Sequence, residues 1–202
     1  LEFHVRKQAE AVKNVSLRYE CAAESLLTSK DGQRITGVRV RSDSGEDVLH
    51  ADLVVDTEGR GTHLPKWLES LGFGRPVEEK VEIDLAYTSR LTTRPPNIDS
   101  DLKAIAIYPP FPQKRGAFYF EVENNQWQLS LTGYLGDHCP TDEEGFLAFA
   151  RSIGVPEFVD AVTQSTHLSA PIKHNIPSSR WFHYEKMPRF PSGILAIGDA
   201  VC

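Results

Sequence analysis

The sequence predicts a mixed α/β (α+β) protein in which an antiparallel sheet interrupts an α/β domain. Three observations indicate this arrangement. A helix pattern and several extended segments occupy residues 1–76, alternating and aromatic-rich segments dominate residues 77–184, and a short apolar strand lies in residues 185–202. We take these three ranges as the predicted domain boundaries. The 202 residues are 40% hydrophobic and 25% charged, which is ordinary for a globular protein with a substantial core.

The first range begins with a predicted amphipathic helix. Four apolar residues recur at spacings of four, four and three and so share one helix face: Leu1, Val5, Ala9 and Val12. Residues 15–19 then predict a strand.

An antiparallel meander is predicted next. SLLTS and ITGVRVRS lie on either side of an Asp31-Gly32 turn, and we expect a bulge at Gly37. The apolar run at residues 51–55 predicts a strand buried on both faces. A short helix over residues 62–71 follows, with Thr62 as its N-cap.

The second range predicts a second, antiparallel sheet. Its four strand-like segments are VEIDLAYTSRL, LKAIAIYPP, GAFYFEVEN and WQLSLTGYL. Thr141 and Glu144 predict a capping box for the helix that follows them. Pro156 to Val162 predicts another short helix, residues 166–184 read as extended chain, and Gly193 to Ile197 predicts the last strand.

Charge and cysteine content exclude several classes of function. With 28 acidic and 22 basic residues the net charge is −6, which argues against a nucleic-acid surface. Three widely spaced cysteines make neither a disulfide framework nor a metal clip, and no metal site is predicted. His174 and His183 are interpreted as surface or satisfied structural residues. No apolar run is long enough for a membrane span and no signal peptide is visible, so the cytoplasm is the expected compartment.

Asp199 is the strongest candidate for binding chemistry. It directly follows a predicted strand and Gly198, so it is expected at the carboxyl edge of a sheet, where α/β folds bind ligands. A carboxylate there accepts hydroxyl hydrogen bonds, and the alternative role is a helix N-cap. Gly59-Arg60-Gly61 also follows a strand, but position 64 is leucine, which favours a structural turn over a complete phosphate-binding fingerprint.

Two aromatic stretches leave alternatives open. The run Tyr108-Pro109-Pro110-Phe111-Pro112 either walls an apolar pocket or forms a stiff loop. The run from Arg180 to Tyr184 either contacts an anionic ligand or edges a sheet, and the second is favoured.

Three segments together resemble the FAD-dependent monooxygenase and reductase superfamily typified by p-hydroxybenzoate hydroxylase, whose FAD fold is similar to that of glutathione reductase. They are the helix with NVSLRY and the DGQRITGVRV meander, then ADLVVDTEGRGTHLPKWLESLG with the central strand and middle signature, and GILAIGDAVC with the Gly-Asp signature. The resemblance spans essentially the whole chain. It implies a partial FAD-binding domain in residues 1–76 and 185–202, and a substrate-binding domain in residues 77–184.

The resemblance implies roles for the residues of the Gly-Asp signature. Asp199 would accept a hydrogen bond from a ribityl hydroxyl of FAD, Gly198 would allow close approach, and Ala200 would lie beside the flavin.

It also implies roles for three residues elsewhere. Gly59 matches the glycine of the middle signature, which serves both flavin and nicotinamide in relatives with an Asp-Gly pair. Glu58 stands where those relatives have the aspartate, which puts the nicotinamide role in question. Val15 lies where the family lends backbone to the adenine side.

The activity implied is that of an NAD(P)H-dependent, FAD-containing monooxygenase acting on an apolar or aromatic small molecule. A geranylgeranyl-reductase-like or halogenase-like flavoenzyme is the close alternative, and a non-catalytic binding or interaction module is the alternative from another class. No catalytic residue and no oligomeric state are assigned.

The family's GxGxxG segment is expected before Leu1 and its glycine-rich helix after Cys202, so the chain reads as an internal fragment. One charge-assisted hydrogen bond contributes about 1.5–3 kcal/mol, whereas nanomolar retention needs about 12 kcal/mol. We therefore expect the isolated chain to bind FAD weakly and to be inactive.

Overall fold

The computed structural model describes residues 2–96 and 98–202 and divides the chain into two compact units. Unit 1 combines the chain up to Glu79 with the segment from Trp181 to Cys202, and unit 2 runs from Lys80 to Arg180. The divisions predicted from the sequence lie at 76/77 and 184/185. The mixture of helices and antiparallel sheets confirms the α/β (α+β) class.

Helices and strands alternate along the chain in blocks. In chain order they are α1 (Glu2–Glu10), β1 (Ala22–Thr28), β2 (Ile35–Ser42), β3 (Gly45–His50), β4 (Val54–Asp56), α2 (Leu64–Ser70), β5 (Val77–Thr93), β6 (Ala104–Ile107), β7 (Arg115–Glu121), β8 (Gln126–Gly133), α3 (Glu143–Ser152), α4 (Pro156–Gln164), β9 (Ile172–His183) and β10 (Ile194–Ala196).

The predicted meander is present as a three-stranded antiparallel sheet of β1, β2 and β3. A register shift between Leu27 and Thr28 lies opposite the expected bulge position, Gly37. A Cβ at Gly37 would lie 2.1 Å from the Leu49 carbonyl oxygen, so only glycine fits between the strands. The glycine at position 37 therefore marks a place where the backbones of β2 and β3 approach closely.

The prediction of a strand at residues 15–19 is wrong. This segment is irregular, and it pairs with no strand of the described residues. Alternating side chains do not make a strand without a partner edge to satisfy the backbone groups. The helix before it is present as α1, but none of its described side chains is buried, and Leu1 of the predicted stripe lies outside the described residues.

The strand predicted at residues 51–55 is shorter than expected and is not buried on both faces. It is β4, and Leu53 and Val55 beside and within it remain 50% and 43% exposed. Within the described part of the chain β4 pairs only with β10, so one edge of the pair is open. Its inner side joins a core in which α2 packs on the meander and β10; the buried members are Leu26, Ile35, Leu64, Leu68, Phe73 and Ile194.

Unit 2 is built on a five-stranded sheet in the order β6-β7-β8-β5-β9. The four segments predicted as strands from the sequence are β5 to β8, and their pairings are antiparallel. One face of this sheet, the helical face, packs on α3 and α4 around Tyr119, Trp127 and Phe158. The ring centroids of Tyr119 and Trp127 are 5.1 Å apart in an edge-to-face arrangement.

The helices of unit 2 are where the apolar spacing predicts them, but the cap of α3 is not. Its N-cap is Asp142, whose Oδ1 accepts from the Gly145 amide at 2.8 Å. The capping box predicted at Thr141 is therefore wrong by one residue. Asp is at least as good an N-cap as Thr, and here it takes the position.

No helix of the described residues is long and apolar enough to cross a membrane.

Replacing Leu131 with alanine tests the core of unit 2. Leu131 is fully buried on the helical face, whereas Leu135, just beyond β8, is 59% exposed. We expect Leu131→Ala to lower the free energy of unfolding by about 2–5 kcal/mol and Leu135→Ala to change it by about 0.5 kcal/mol or less. Urea unfolding followed by tryptophan fluorescence measures both, and equal losses would contradict the assignment of the core.

Candidate functional site

Two parallel strands bring distant parts of unit 1 to one edge. β4 and β10 pair in parallel, with Asp56 opposite Ala196. The register continues one residue further, because the Ile197 amide donates to the Asp56 carbonyl at 3.1 Å. Both strands thus deliver their next residues to the same carboxyl edge, which is where open α/β sheets hold ligands.

The turn after β4 is organised by a carboxylate that the sequence analysis did not single out. Asp56 is 7% exposed, and its Oδ1 accepts from the Glu58 amide at 2.9 Å. The Thr62 hydroxyl donates to Oδ2 of Asp56 and accepts from the Leu64 amide at 3.0 Å. The N-cap of α2 is His63, so the N-cap predicted at Thr62 is wrong by one residue, although the Thr62 hydroxyl still bonds the first amide of the helix. The sequence does carry a signal for this role of Asp56: it ends an apolar run, and Thr62 follows six residues later.

Glu58 is engaged in the same turn. Its Oε2 accepts from the His63 amide at 2.8 Å and lies 3.1 Å from Nδ1 of that imidazole. The His63 ring in turn stacks on Trp67 with centroids 5.7 Å apart. The carboxylate of Glu58 therefore fixes the entry into α2, which accounts for an acidic residue here without any ligand.

Two glycines make the edge accessible. Gly59 and Gly198 have φ values of 68° and 61°, a region that side-chain-bearing residues rarely adopt. A Cβ on Gly59 would lie 3.8 Å from Cβ of Asp199, so the turn after β4 and the turn after β10 are in contact distance. Nothing lies within 4 Å of a Cβ on Gly198. Backbone is thereby exposed beside Asp199.

Asp199 itself is exposed, and its carboxylate is free of contacts with other polar side chains of the described residues. It lies in the 3₁₀ turn Gly198–Ala200, and its carboxylate accepts no hydrogen bond from any residue that the structure describes. It caps no helix of residues 2–96 or 98–202. The next residue, Ala200, is fully buried, and its carbonyl accepts from the Tyr184 hydroxyl at 3.3 Å. The backbone of the turn is therefore anchored, while the Asp199 side chain is exposed.

Val15 is not part of this edge. It is 43% exposed in the irregular segment after α1, and its amide donates to the Val12 carbonyl at 3.0 Å. The structure thus brings Glu58, Gly59, Gly198, Asp199 and Ala200 together and leaves Val15 outside that group. No group of acidic, histidine or cysteine side chains in the described ranges is arranged to hold a metal ion.

No family model matches the chain. It is 32% identical over 207 residues to protein Rv3254 of Mycobacterium tuberculosis, an alignment that covers 100% of the chain and 43% of that protein. The chain therefore spans less than half the length of this curated relative.

Solved structures of flavin-dependent enzymes superpose on nearly the whole chain. The flavin-dependent brominase Bmp2 matches with a TM-score of 0.72 at 14% identity, over 99% of this chain and 47% of its own. The myxobacterial chondrochloren halogenase CndH matches with a TM-score of 0.65 at 16% identity, over 100% and 44%. A flavoprotein/dehydrogenase from Cytophaga hutchinsonii matches with a TM-score of 0.66 at 14% identity, over 99% of this chain and 44% of its own. The chain therefore has the fold of the corresponding part of these proteins.

Unit 1, which contains this edge, also contains a histidine held between two carboxylates. Only 4% of the His183 side chain is exposed. Its Nδ1 lies 2.6 Å from Glu185 and its Nε2 3.1 Å from Glu79, while the Trp181 ring stacks on it at 4.4 Å. The interpretation of His183 as a satisfied structural residue fits these contacts. The Glu185 hydrogen bond, followed by that of Glu79, raises the pKa of His183 above its ordinary value.

This clamp predicts a pH dependence of stability. Because the pKa of His183 is raised in the folded state, its stabilisation is complete below the ordinary histidine pKa of about 6.5 and is lost as the pH rises through the folded value. We expect the difference in unfolding free energy between the natural protein and His183→Gln to shrink as the pH rises from mildly acidic to alkaline. His174→Gln, at an exposed position of the same strand, is the control and should show no such trend. A difference that grows with pH would contradict the clamp.

Proposed function

We propose that the protein is an FAD-dependent oxidoreductase whose cofactor is held, at its ribityl chain, by the shared edge of β4 and β10. The observation that carries the proposal is Asp199: an exposed carboxylate without a protein partner in the described residues, beside the bare backbone of Gly59 and Gly198. The flavoenzyme fold makes FAD the ligand to be tested first.

The exposed carboxylate at the edge suits a polyhydroxyl chain. A carboxylate accepts hydrogen bonds from hydroxyl groups, and such charge-assisted bonds are stronger than neutral ones. The positive φ of Gly59 and Gly198 removes the side chains that would keep a ligand away. Asp199 would accept from a hydroxyl, Gly59 and Gly198 would admit close approach, and buried Ala200 would fix the turn.

When bound, FAD supplies the redox chemistry, and the protein supplies binding, orientation and electrostatics. Asp56 and Glu58 are engaged in hydrogen bonds that shape the turn. Glu58 accordingly gives no support to a nicotinamide contact at this position, and Val15 remains a proposed neighbour of the adenine side only.

Within this class we propose an NAD(P)H-dependent monooxygenase that acts on an apolar or aromatic small molecule. Supporting it are the fold likeness to OxyS, an anhydrotetracycline hydroxylase from Streptomyces rimosus, with a TM-score of 0.53 at 14% identity, and the aromatic side chains on the sheet of unit 2. The three free cysteines fit a reducing compartment, so the cytoplasm is part of the proposal.

A flavin-dependent halogenase is the second candidate. It is favoured by the likeness to Bmp2 and CndH, whose TM-scores are higher than that of the hydroxylase. A geranylgeranyl bacteriochlorophyll reductase-like protein from Thermoplasma acidophilum also matches, with a TM-score of 0.54 at 12% identity. A halogenase would need a lysine in its substrate channel, and the paired stretches of β5 to β8 place none on the sheet face away from the helices.

Flavin content tests the class. The protein at its full natural length, purified and mixed with FAD, should show the visible absorption of bound flavin. Asp199→Ala should weaken FAD binding by about 10- to 150-fold, which corresponds to one charge-assisted hydrogen bond of about 1.5–3 kcal/mol. Asp43→Ala, an exposed acid of the same unit outside the edge, should leave it unchanged. A protein that takes up no flavin would support the binding-module alternative instead.

Reduction of the bound flavin separates the two candidates within the class. A monooxygenase of the proposed kind should be bleached by NADH or NADPH under anaerobic conditions, with 2-naphthol present as an aromatic probe, without any second protein. The halogenase candidate predicts that bleaching requires an added flavin reductase and that turnover requires halide. Bleaching only with the added reductase would overturn the monooxygenase proposal and leave the flavoenzyme proposal standing.

A further inference from the structure

One face of the sheet in unit 2, the open face, has no helix of that unit packed on it. Strand alternation and the pairing register assign its side chains. In the paired stretches of β5 to β8 (residues 86–93, 104–107, 115–121 and 126–133), these side chains are Tyr87, Ser89, Leu91, Thr93, Ala104, Ala106, Gly116, Phe118, Phe120, Gln126, Gln128, Ser130 and Thr132. None of them belongs to the core under α3 and α4.

This set contains no charged side chain. The charged residues within these paired stretches are Arg90, Arg115 and Glu121, which lie on the helical face or at its rim and form ion pairs. Arg90 bonds Glu143 at 2.8 Å and covers the Phe146 ring, and Arg115 bonds Asp137 at 2.7 Å. The paired stretches of β5 to β8 therefore contribute no charge to the open face.

A row of polar groups crosses the middle of the open face. The hydroxyls of Ser89 and Ser130 are 2.7 Å apart, and the Gln128 amide donates to Ser130 at 3.3 Å. Next to this row, Thr132 is 2% exposed, yet its hydroxyl has no hydrogen-bond partner among the described residues. A hydroxyl without a protein partner at a small opening in the surface can hydrogen-bond a ligand or water.

Aromatic rings flank the polar row. Tyr87 lies opposite Thr132, and Phe118 lies opposite Ser130. Tyr108 packs edge-on against Phe118 with centroids 5.4 Å apart. Burial, followed by the phenols of Tyr134 and Tyr108, raises the pKa of Tyr87, so its hydroxyl is a neutral donor at physiological pH.

The proline-rich loop after β6 closes one end of the face. A Cβ on Gly116 would lie 2.9 Å from the Thr132 hydroxyl and 3.0 Å from Cδ of Pro109. The loop therefore crosses directly over Gly116. Of the two readings left open for this loop, a wall beside an apolar surface fits these distances.

We infer that the open face binds an uncharged aromatic small molecule that carries hydrogen-bonding groups, and that it disfavours aromatic acids. The identity of this ligand as the substrate rests on the proposed flavoenzyme function. The pairing of neutral polar groups with aromatic rings matches such a ligand, whereas a carboxylate would be desolvated against a face that offers it no cation.

A matched pair of probes tests this inference. 2-Naphthamide and 2-naphthoate have the same ring and nearly the same shape but differ in charge. We expect the protein at its full natural length to bind the amide at least about tenfold more tightly than the acid in equilibrium dialysis. Thr132→Val, which removes the hydroxyl and keeps the shape, should weaken amide binding by about two- to tenfold.

Adding a cation to the face should reverse the preference. Gln128→Lys should strengthen binding of naphthoate relative to naphthamide, and Thr163→Lys, which adds the same charge on exposed α4, should not. Equal or tighter binding of naphthoate by the natural protein, or binding of neither probe, would overturn the inference. If the protein prefers the amide but binds no flavin, the inference about the open face stands and the proposed flavoenzyme function falls. If it binds flavin but prefers the acid, the proposed function stands and the inference falls.

Discussion

The parallel pairing of β4 with β10 is the constraint on which the candidate site depends. It joins segments from opposite ends of the chain through a register that ends at Asp56 and Ala196 and is extended by the bond from the Ile197 amide to the Asp56 carbonyl. Because both strands run in the same direction, both following turns emerge at one edge. Without this register Gly59 and Asp199 would be unrelated residues, whatever their individual conformations.

Several charged side chains near this edge hold the fold together, whereas the carboxylate of Asp199 is exposed. Asp56 and Glu58 hold the turn and the start of α2, and His183 is clamped by two carboxylates. Asp199 makes no such bond within the described residues. In unit 2 the charged residues of the paired stretches of β5 to β8 likewise form ion pairs on the helical face or at its rim, so these stretches add no charge to the open face. A redox cofactor would supply the chemistry that neither surface provides.

Local patterns in the sequence predicted most strands and helices, because alternation and apolar spacing report which side of an element is covered. The segment 15–19 failed because a strand also requires a partner edge, which no local pattern reports. The burial of residues 51–55 was overestimated for the same reason. Asp199 was found from its position after a strand, but its proximity to Gly59 and the uncharged side chains that the paired stretches of β5 to β8 place on the open face both depend on register, which a single sequence does not give.

A crystal structure of the protein at its full natural length, grown with FAD, tests the central claim most directly. The account predicts a ribityl hydroxyl within about 2.5–3.0 Å of the Asp199 carboxylate, with the flavin chain passing over Gly59 and Gly198. A flavin held elsewhere, with Asp199 facing solvent or capping a helix, would contradict it.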